Sequence, residues 1–136
     1  MTNQTMHAPS VAGDGTVYVT GVLRFRPEGA GYRAGEQLAP HVSGSHPAIA
    51  LDQSYLVYSA RRSGGLGGKD LYVVFATGNG TWTGPVNLGP RVNSPQGESS
   101  PTLSPDGRAL FFSRGDNVWW ISTRVIEDAR PEGSSE

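Results

Sequence analysis

The sequence predicts an all-β fold made of short antiparallel strands, and two observations lead to this prediction. The 136 residues include 19 glycines and 10 prolines, and only 17% of them are charged, which favours many turns between short apolar segments. A strand–turn–strand pattern also occurs three times along the chain. Its clearest copy covers residues 99–113, where two apolar stretches are joined by the turn sequence Pro105-Asp106-Gly107.

The three copies of this pattern align on Asp14, Asp52 and Asp106. A proline lies five residues before each aspartate, an aliphatic residue lies three before it, and a hydroxyl residue lies six or seven after it. These aligned residues are Pro9, Pro47 and Pro101, then Val11, Ile49 and Leu103, then Thr20, Ser59 and Ser113. Because the order is kept while the connecting loops differ in length, the pattern is an internal repeat.

Further strands follow each copy in the same order. They are expected at residues 22–26 and 32–38 in the first unit, 70–75 and 82–88 in the second, and 117–122 in the third. The third unit then stops without a fourth strand, and residues 124–130 are expected to form a turn of helix. Four antiparallel strands at a period of about 40–50 residues are typical of a β-propeller blade.

The predicted architecture is therefore three propeller blades in an open partial propeller, the last blade lacking its fourth strand, with a short helical turn at the C-terminus. The expected divisions are an N-terminal tail at 1–6, blades at 7–45, 46–98 and 99–123, and a C-terminal turn and polar tail at 124–136.

Burial is predicted from the apolar patterning. Residues 56–58, 71–75 and 110–112 are apolar without alternation, which indicates strands with both faces dry between blades. Leu71 and Phe112 should therefore be fully buried. The first strand of each unit instead alternates aliphatic with small residues, which suits a crowded inner strand near the propeller axis.

Three stretches carry a family resemblance. Residues 100–113, the glycine-rich run that ends in Lys69-Asp70-Leu71-Tyr72, and the segment from Trp82 to Gly89 resemble the TolB-type (WD-like) β-propeller repeat. The longer form is similar to repeats found beside OmpA-like domains in bacterial envelope proteins. The resemblance implies a periplasmic or secreted scaffold for protein or ligand contacts, and it implies no shared catalytic residues.

Composition excludes several classes of function. A net charge of −1 provides no basic field for nucleic acid, and no apolar run is long enough to span a bilayer. Cysteine is absent, which removes disulfides, thiol catalysis and thiolate metal ligands. No apolar signal segment follows Met1. We expect no nucleic-acid partner, no membrane span, no metal and no cofactor.

The aspartates have a structural and a chemical interpretation. Asp14, Asp52 and Asp106 could be carboxylates for acid–base or calcium chemistry, but their place in a repeated turn favours acceptance of backbone N–H bonds. Asp70 is expected to tie the glycine-rich loop, residues 64–69, to its strand in the same way. This loop lacks the spacing of a phosphate loop, and it is interpreted as a hairpin loop with positive φ at several glycines. Gly107 is also expected to have positive φ.

The candidate binding surface is a mildly basic set around the second blade: Arg61, Arg62, Lys69, Arg91 and His46. Solvated loop charge is the default interpretation of the four cations, and His46 is placed beside the axial channel or a loop surface. Tyr32, Trp82, Trp119 and Trp120 could stack on sugar rings, although such aromatics more often seal one blade against the next. Tyr32 and Trp82 occupy equivalent positions.

These observations favour a non-enzymatic interaction module, a fragment or C-terminal part of a larger propeller. The alternative is the propeller of a hydrolase, either a glycoside hydrolase or the gating domain of a peptidase. Three blades fall short of the roughly four to eight of a closed propeller, so the isolated chain is expected either to self-associate through its uncovered blade faces or to need further upstream blades. Two copies could supply six blades, and an N-terminal strand of one copy could complete the third blade of the other.

Overall fold

The structure is a computed structural model that describes residues 9–131. The predicted tail at 1–6, the first two residues of the predicted first blade and the end of the polar tail lie outside the described residues. The described part contains thirteen strands and one helix. They are β1 (Ser10–Val11), β2 (Val17–Val19), β3 (Leu23–Phe25), β4 (Pro27–Glu28), β5 (Gly31–Tyr32), β6 (Glu36–Gln37), β7 (Ser45–Ile49), β8 (Tyr55–Ala60), β9 (Asp70–Phe75), β10 (Val86–Asn87), β11 (Glu98–Leu103), β12 (Ala109–Arg114), β13 (Asn117–Ser122) and α1 (Arg124–Asp128).

Eleven of the thirteen strands form three antiparallel sheets in chain order, and β4 and β5 pair only with each other. The first has the order β1-β2-β3-β6, the second β7-β8-β9-β10 and the third β11-β12-β13, and we name them blade 1, blade 2 and blade 3. Each is an antiparallel meander, as in a propeller blade, and in blade 1 the β4–β5 hairpin is inserted between the third strand and the fourth. The predicted partial propeller, with a third blade that lacks its fourth strand, is confirmed.

The first strands of the blades lie side by side. Strand β7 contacts β1 on one side and β11 on the other. A hydrogen bond joins two of them, because the Ile49 N–H donates to Ser10 Oγ at 2.9 Å. Small side chains at the aligned positions Ser10, Ala48 and Thr102 line the cavity between these strands. The first strand of each blade is therefore the innermost one.

Blade 2 is the centre of the hydrophobic core, and successive side chains of β8 belong to opposite interfaces. Leu56 and Tyr58 pack with Tyr18 of blade 1 in one buried cluster. Val57 packs with Leu110 of blade 3 in another. Every residue of β8 and β9 is buried, so the prediction that these strands are buried on both faces of the sheet is confirmed for this blade. The predicted burial of Leu71 and Phe112 is confirmed as well.

The prediction of two dry faces is wrong for blade 3. Phe111 is 38% exposed, Val118 is 74% exposed and Trp120 is 66% exposed, because no other part of residues 9–131 forms a blade against this side of the sheet. Blade 1 has an open face of its own, on which Val11 is 50% exposed and Leu23 is 36% exposed.

The first unit departs from the second at its outer rim. An additional hairpin, β4–β5, lies at residues 27–32, between the strand predicted at 22–26 and the rest of the strand predicted at 32–38. Tyr32 lies on this hairpin, 54% exposed, and its hydroxyl donates to the Gly15 carbonyl at 3.1 Å. Trp82, by contrast, is buried. The predicted equivalence of Tyr32 and Trp82 as seals between blades is therefore wrong.

The C-terminal helix α1 closes the core between blades 2 and 3. Val125 and Ile126 are buried in the cluster that contains Phe112. The Arg130 guanidinium lies 4.5 Å from the centre of the Phe75 ring of blade 2. The C-terminal segment therefore packs across the interface between blades 2 and 3.

Candidate interaction surface

The three repeated aspartates each organise a tight turn at the end of an inner strand. Asp14 Oδ1 accepts the Thr16 N–H at 2.9 Å, Asp52 Oδ1 accepts the Ser54 N–H at 3.0 Å, and Asp106 Oδ1 accepts the Arg108 N–H at 3.0 Å. These bonds to the ionised form lower the pKa of all three carboxyls. The bond from the Thr16 N–H is the main cause for Asp14, and the hydroxyls of Ser54 and Ser104 are the main causes for Asp52 and Asp106.

Asp70 holds the glycine-rich loop to β9. It is buried, and its carboxylate accepts the backbone N–H of Leu66 at 2.6 Å and that of Gly67 at 3.1 Å. The side-chain amide of Asn87 donates to the same carboxylate at 3.0 Å. Three donors compensate a charge that would otherwise be costly to bury.

The glycines of this loop are needed mainly for close packing. Within residues 64–69, only Gly64 has a positive φ, so the expectation of several is wrong. A Cβ on Gly65 would lie 2.6 Å from Asp70 Oδ2, and one on Gly67 would collide with the Ser94 carbonyl oxygen. The loop is therefore packed against the connection that leads into blade 3.

The start of blade 3, directly after that connection, contains an ion pair with a buried carboxylate that sequence reasoning missed. Glu98 is buried, and its carboxylate accepts Arg114 Nε at 2.8 Å and the Ser94 N–H at 2.9 Å. Arg114 also donates to the Val92 carbonyl at 2.6 Å and stacks over Trp119, 4.6 Å from its ring centre. Glu98 and Arg114 stand directly opposite each other on β11 and β12.

The structure gathers four of the five proposed binding residues at one end of blade 2. Arg61 and Arg62 directly follow β8, Lys69 directly precedes β9, and His46 lies on β7 beside the same end of β8. We name this region, His46 with residues 61–69, the glycine-loop end. Arg91 does not belong to it, since its guanidinium pairs with Asp128 of α1 at 3.2 Å.

A cavity of about 830 Å³ lies along the inner strands. It is lined by segments of all three blades and by one residue of α1, namely 9–11, 46–52, 54–55, 100–107 and Glu127. His46 is among these residues, so the cavity reaches the glycine-loop end of β7. The Asp52 and Asp106 turns line the other end of the same strands.

The described residues contain neither a cluster of metal-binding side chains nor a membrane-spanning helix. Residues 9–131 hold no group of three or more His, Asp or Glu that could bind a metal ion. The same part of the chain has no helix with the length and apolarity that a membrane crossing needs.

Comparison with known proteins gives a likeness to solved structures. No family model matches the chain, and no curated protein matches its sequence. Among solved structures, the chain is similar to a protein assigned as TolB from Agrobacterium tumefaciens, with 16% sequence identity and a TM-score of 0.42. The match covers 91% of this chain and 60% of that structure, so the chain spans less than two thirds of its length.

Proposed function

We propose that this chain is a non-enzymatic β-propeller module that binds an acidic protein segment or acidic small ligand at the glycine-loop end. One observation supports the proposal most directly. Arg61, Arg62 and Lys69 lie together at the glycine-loop end of blade 2, and none of them pairs with an acidic side chain of residues 9–131. Uncompensated cations favour an anionic partner.

The rigidity of the loop supports the same proposal. The bonds from Leu66 and Gly67 to Asp70 hold the middle of the loop, and the Arg62 guanidinium lies 5.7 Å from the centre of the Tyr72 ring. A surface that is already ordered loses little conformational entropy when it binds. The periplasmic or secreted location expected from the repeat resemblance belongs to this proposal, and cell fractionation tests it.

Site-specific photocrosslinking tests the binding surface. A photoreactive amino acid replaces Leu66, which is 45% exposed in the loop, or Tyr32, which is 54% exposed on the β4–β5 hairpin and serves as the control. On illumination we expect a defined covalent adduct with the bound partner from the photoreactive residue at position 66 and none from the one at position 32. Charge reversal of Arg61 and Lys69 to Glu should abolish it, whereas Arg108→Glu, at the opposite end of the strands, should not.

Equal adducts from both positions, or an adduct that survives charge reversal, would contradict the proposal. The hydrolase alternative is tested with the same preparation on ester, glycoside and peptide substrates. Turnover by the native protein that a heat-denatured sample lacks would overturn the non-enzymatic assignment.

A further inference from the structure

Every blade has one face toward the preceding blade and one toward the following blade, which we name the leading face and the trailing face. Blade 2 defines them, because Leu56 packs toward blade 1 and Val57 packs toward blade 3. Leu110 of blade 3 occupies the position of Leu56 and is buried against blade 2. Tyr18 of blade 1 occupies the position of Val57 and is buried against blade 2.

Within residues 9–131, two blade faces have no blade against them, one a trailing face and the other a leading face. The trailing face of blade 3 presents Phe111 and Trp120, paired across β12 and β13 with ring centres 6.4 Å apart. The leading face of blade 1 presents Val11 and, on β3, Leu23. Apolar side chains at 36–66% exposure on two opposite faces are unusual for a surface that remains in water.

Hydrogen bonds between the blades of the chain define the register that a further blade would adopt. Ser10 Oγ of blade 1 accepts the Ile49 N–H of blade 2 at 2.9 Å. Thr102 of blade 3 occupies the position of Ser10, four residues before the turn aspartate, and Val11 occupies the position of Ile49. No described residue forms a hydrogen bond with the Thr102 hydroxyl.

A second hydroxyl position repeats the same relation. The Ser59 hydroxyl of blade 2 donates to the Glu98 carbonyl at the start of the inner strand of blade 3, at 3.1 Å. Thr20 of blade 1 accepts the His46 N–H at the start of the inner strand of blade 2, at 3.4 Å. Ser113 holds this position in blade 3, and within residues 9–131 its hydroxyl has no hydrogen-bond partner. The trailing face of blade 3 therefore has an apolar side chain at the position of Tyr18 and Val57. It also has hydroxyls at the two positions that bond the following blade, the first used by Ser10 of blade 1 and the second by Thr20 and Ser59 of blades 1 and 2.

We propose that two copies of this chain associate head to tail, with blade 3 of each copy against blade 1 of the other, and close a ring of six blades. In this arrangement the Val11 N–H of one copy donates to Thr102 Oγ1 of the other, as Ile49 does to Ser10. Six blades lie within the usual range of closed propellers. The second copy also encloses the open side of the cavity along the inner strands. The association does not depend on the proposed ligand.

Sedimentation equilibrium of the full chain tests the association. We expect a species of twice the 14.4 kDa chain mass at low micromolar concentration. Trp120→Glu and Leu23→Lys should each raise the dissociation constant by at least a hundredfold. Leu66→Glu, a matched substitution of a 45% exposed residue in the glycine-rich loop, should leave it unchanged. Circular dichroism melts verify that the variants, all at exposed positions, remain folded.

Mixing Trp120→Glu with Leu23→Lys tests the head-to-tail arrangement. One ring interface in the mixture then joins two native faces. The other interface places the introduced lysine of one copy and the introduced glutamate of the other on facing third strands, so the two-copy species should return.

Three results would overturn the proposal. One is a monomer up to about 100 μM, which would mean that another polypeptide covers these faces. Another is an association lost with Trp120→Glu, kept with Leu23→Lys and not restored by mixing, which would mean that blade 3 binds blade 3. The third is a series of species larger than two copies, which would mean that the ring does not close.

Discussion

Gln53 has a left-handed backbone at a position where the other two repeats have glycine. Its φ is +62°, and the equivalent Gly15 and Gly107 have φ of +91° and +73°. A residue with a Cβ costs about 1 kcal/mol relative to glycine in this region. A cross-blade contact offsets the cost, since the Tyr18 hydroxyl donates to Gln53 Oε1 at 2.8 Å and Tyr18 is fully buried.

The substitution Gln53→Gly therefore has two opposing effects on the free energy of unfolding. Loss of the Cβ relieves about 1 kcal/mol of backbone strain. Loss of Gln53 Oε1 leaves the buried Tyr18 O–H without an acceptor, which costs about 1–3 kcal/mol. We expect a net destabilisation of up to about 2 kcal/mol in the native background. In the Tyr18→Phe background the hydroxyl is absent, so the same substitution should stabilise the protein by about 1 kcal/mol.

Urea unfolding of the four proteins measures both effects in one double-mutant cycle. The expected coupling energy between positions 18 and 53 is about 1–3 kcal/mol, with a change of sign between the two backgrounds. Gln53→Asn serves as a control, because asparagine tolerates the left-handed region but its side chain is one methylene shorter. An equal shift of the midpoint by Gln53→Gly in both backgrounds would refute the reasoning.

Three further predictions concern the core and its polar groups. Leu71→Ala should destabilise the fold by about 2–5 kcal/mol, and Arg61→Ala by no more than about 0.5 kcal/mol, in the same urea assay. Tyr58→Phe should be neutral or stabilising, because the Tyr58 hydroxyl is buried without a partner in the described part of the chain. Burial also raises the pKa of Tyr58 to about 12, so this phenol ionises at lower pH in the unfolded chain than in the folded protein. The free energy of unfolding should therefore fall as the pH rises from 10 to 12, and it should fall less steeply in Tyr58→Phe. Glu98→Gln should cost about 3 kcal/mol, because the Arg114 guanidinium loses its carboxylate, and an unchanged thermal midpoint would contradict the role of this pair.

Much of the fold is predictable from the sequence because the repeat is carried by short-range signals. A turn aspartate bonds a backbone N–H only two residues away, as Asp106 does with Arg108, so spacing alone indicates the contact. The unbroken apolar stretches of β8 and β9 likewise indicate burial on both faces. The division boundaries at 45, 98 and 123 stay a prediction.

The missed ion pair shows where counting along the sequence fails. Leu103 pairs with Leu110 beside the Asp106 turn, and counting back from there without interruption places Ser99 opposite Arg114. The register instead shifts between Ser99 and Thr102, with Ser100 at φ +53°, which brings Glu98 opposite Arg114. A β-bulge moves every residue beyond it by one position. The repeat pattern alone therefore gives no partner for the carboxylate that the bulge buries.

Amide hydrogen exchange, resolved by strand, tests most directly whether blade 2 is enclosed between two others in a propeller-like arc. We expect the slowest exchange in Tyr55–Ala60 and Asp70–Phe75, which are buried throughout. We expect fast exchange in the β4–β5 hairpin and along the edge of Asn117–Ser122 that pairs with no strand of residues 9–131. Fast exchange in Tyr55–Ala60 with slow exchange along both edges of Asn117–Ser122 would contradict this arrangement.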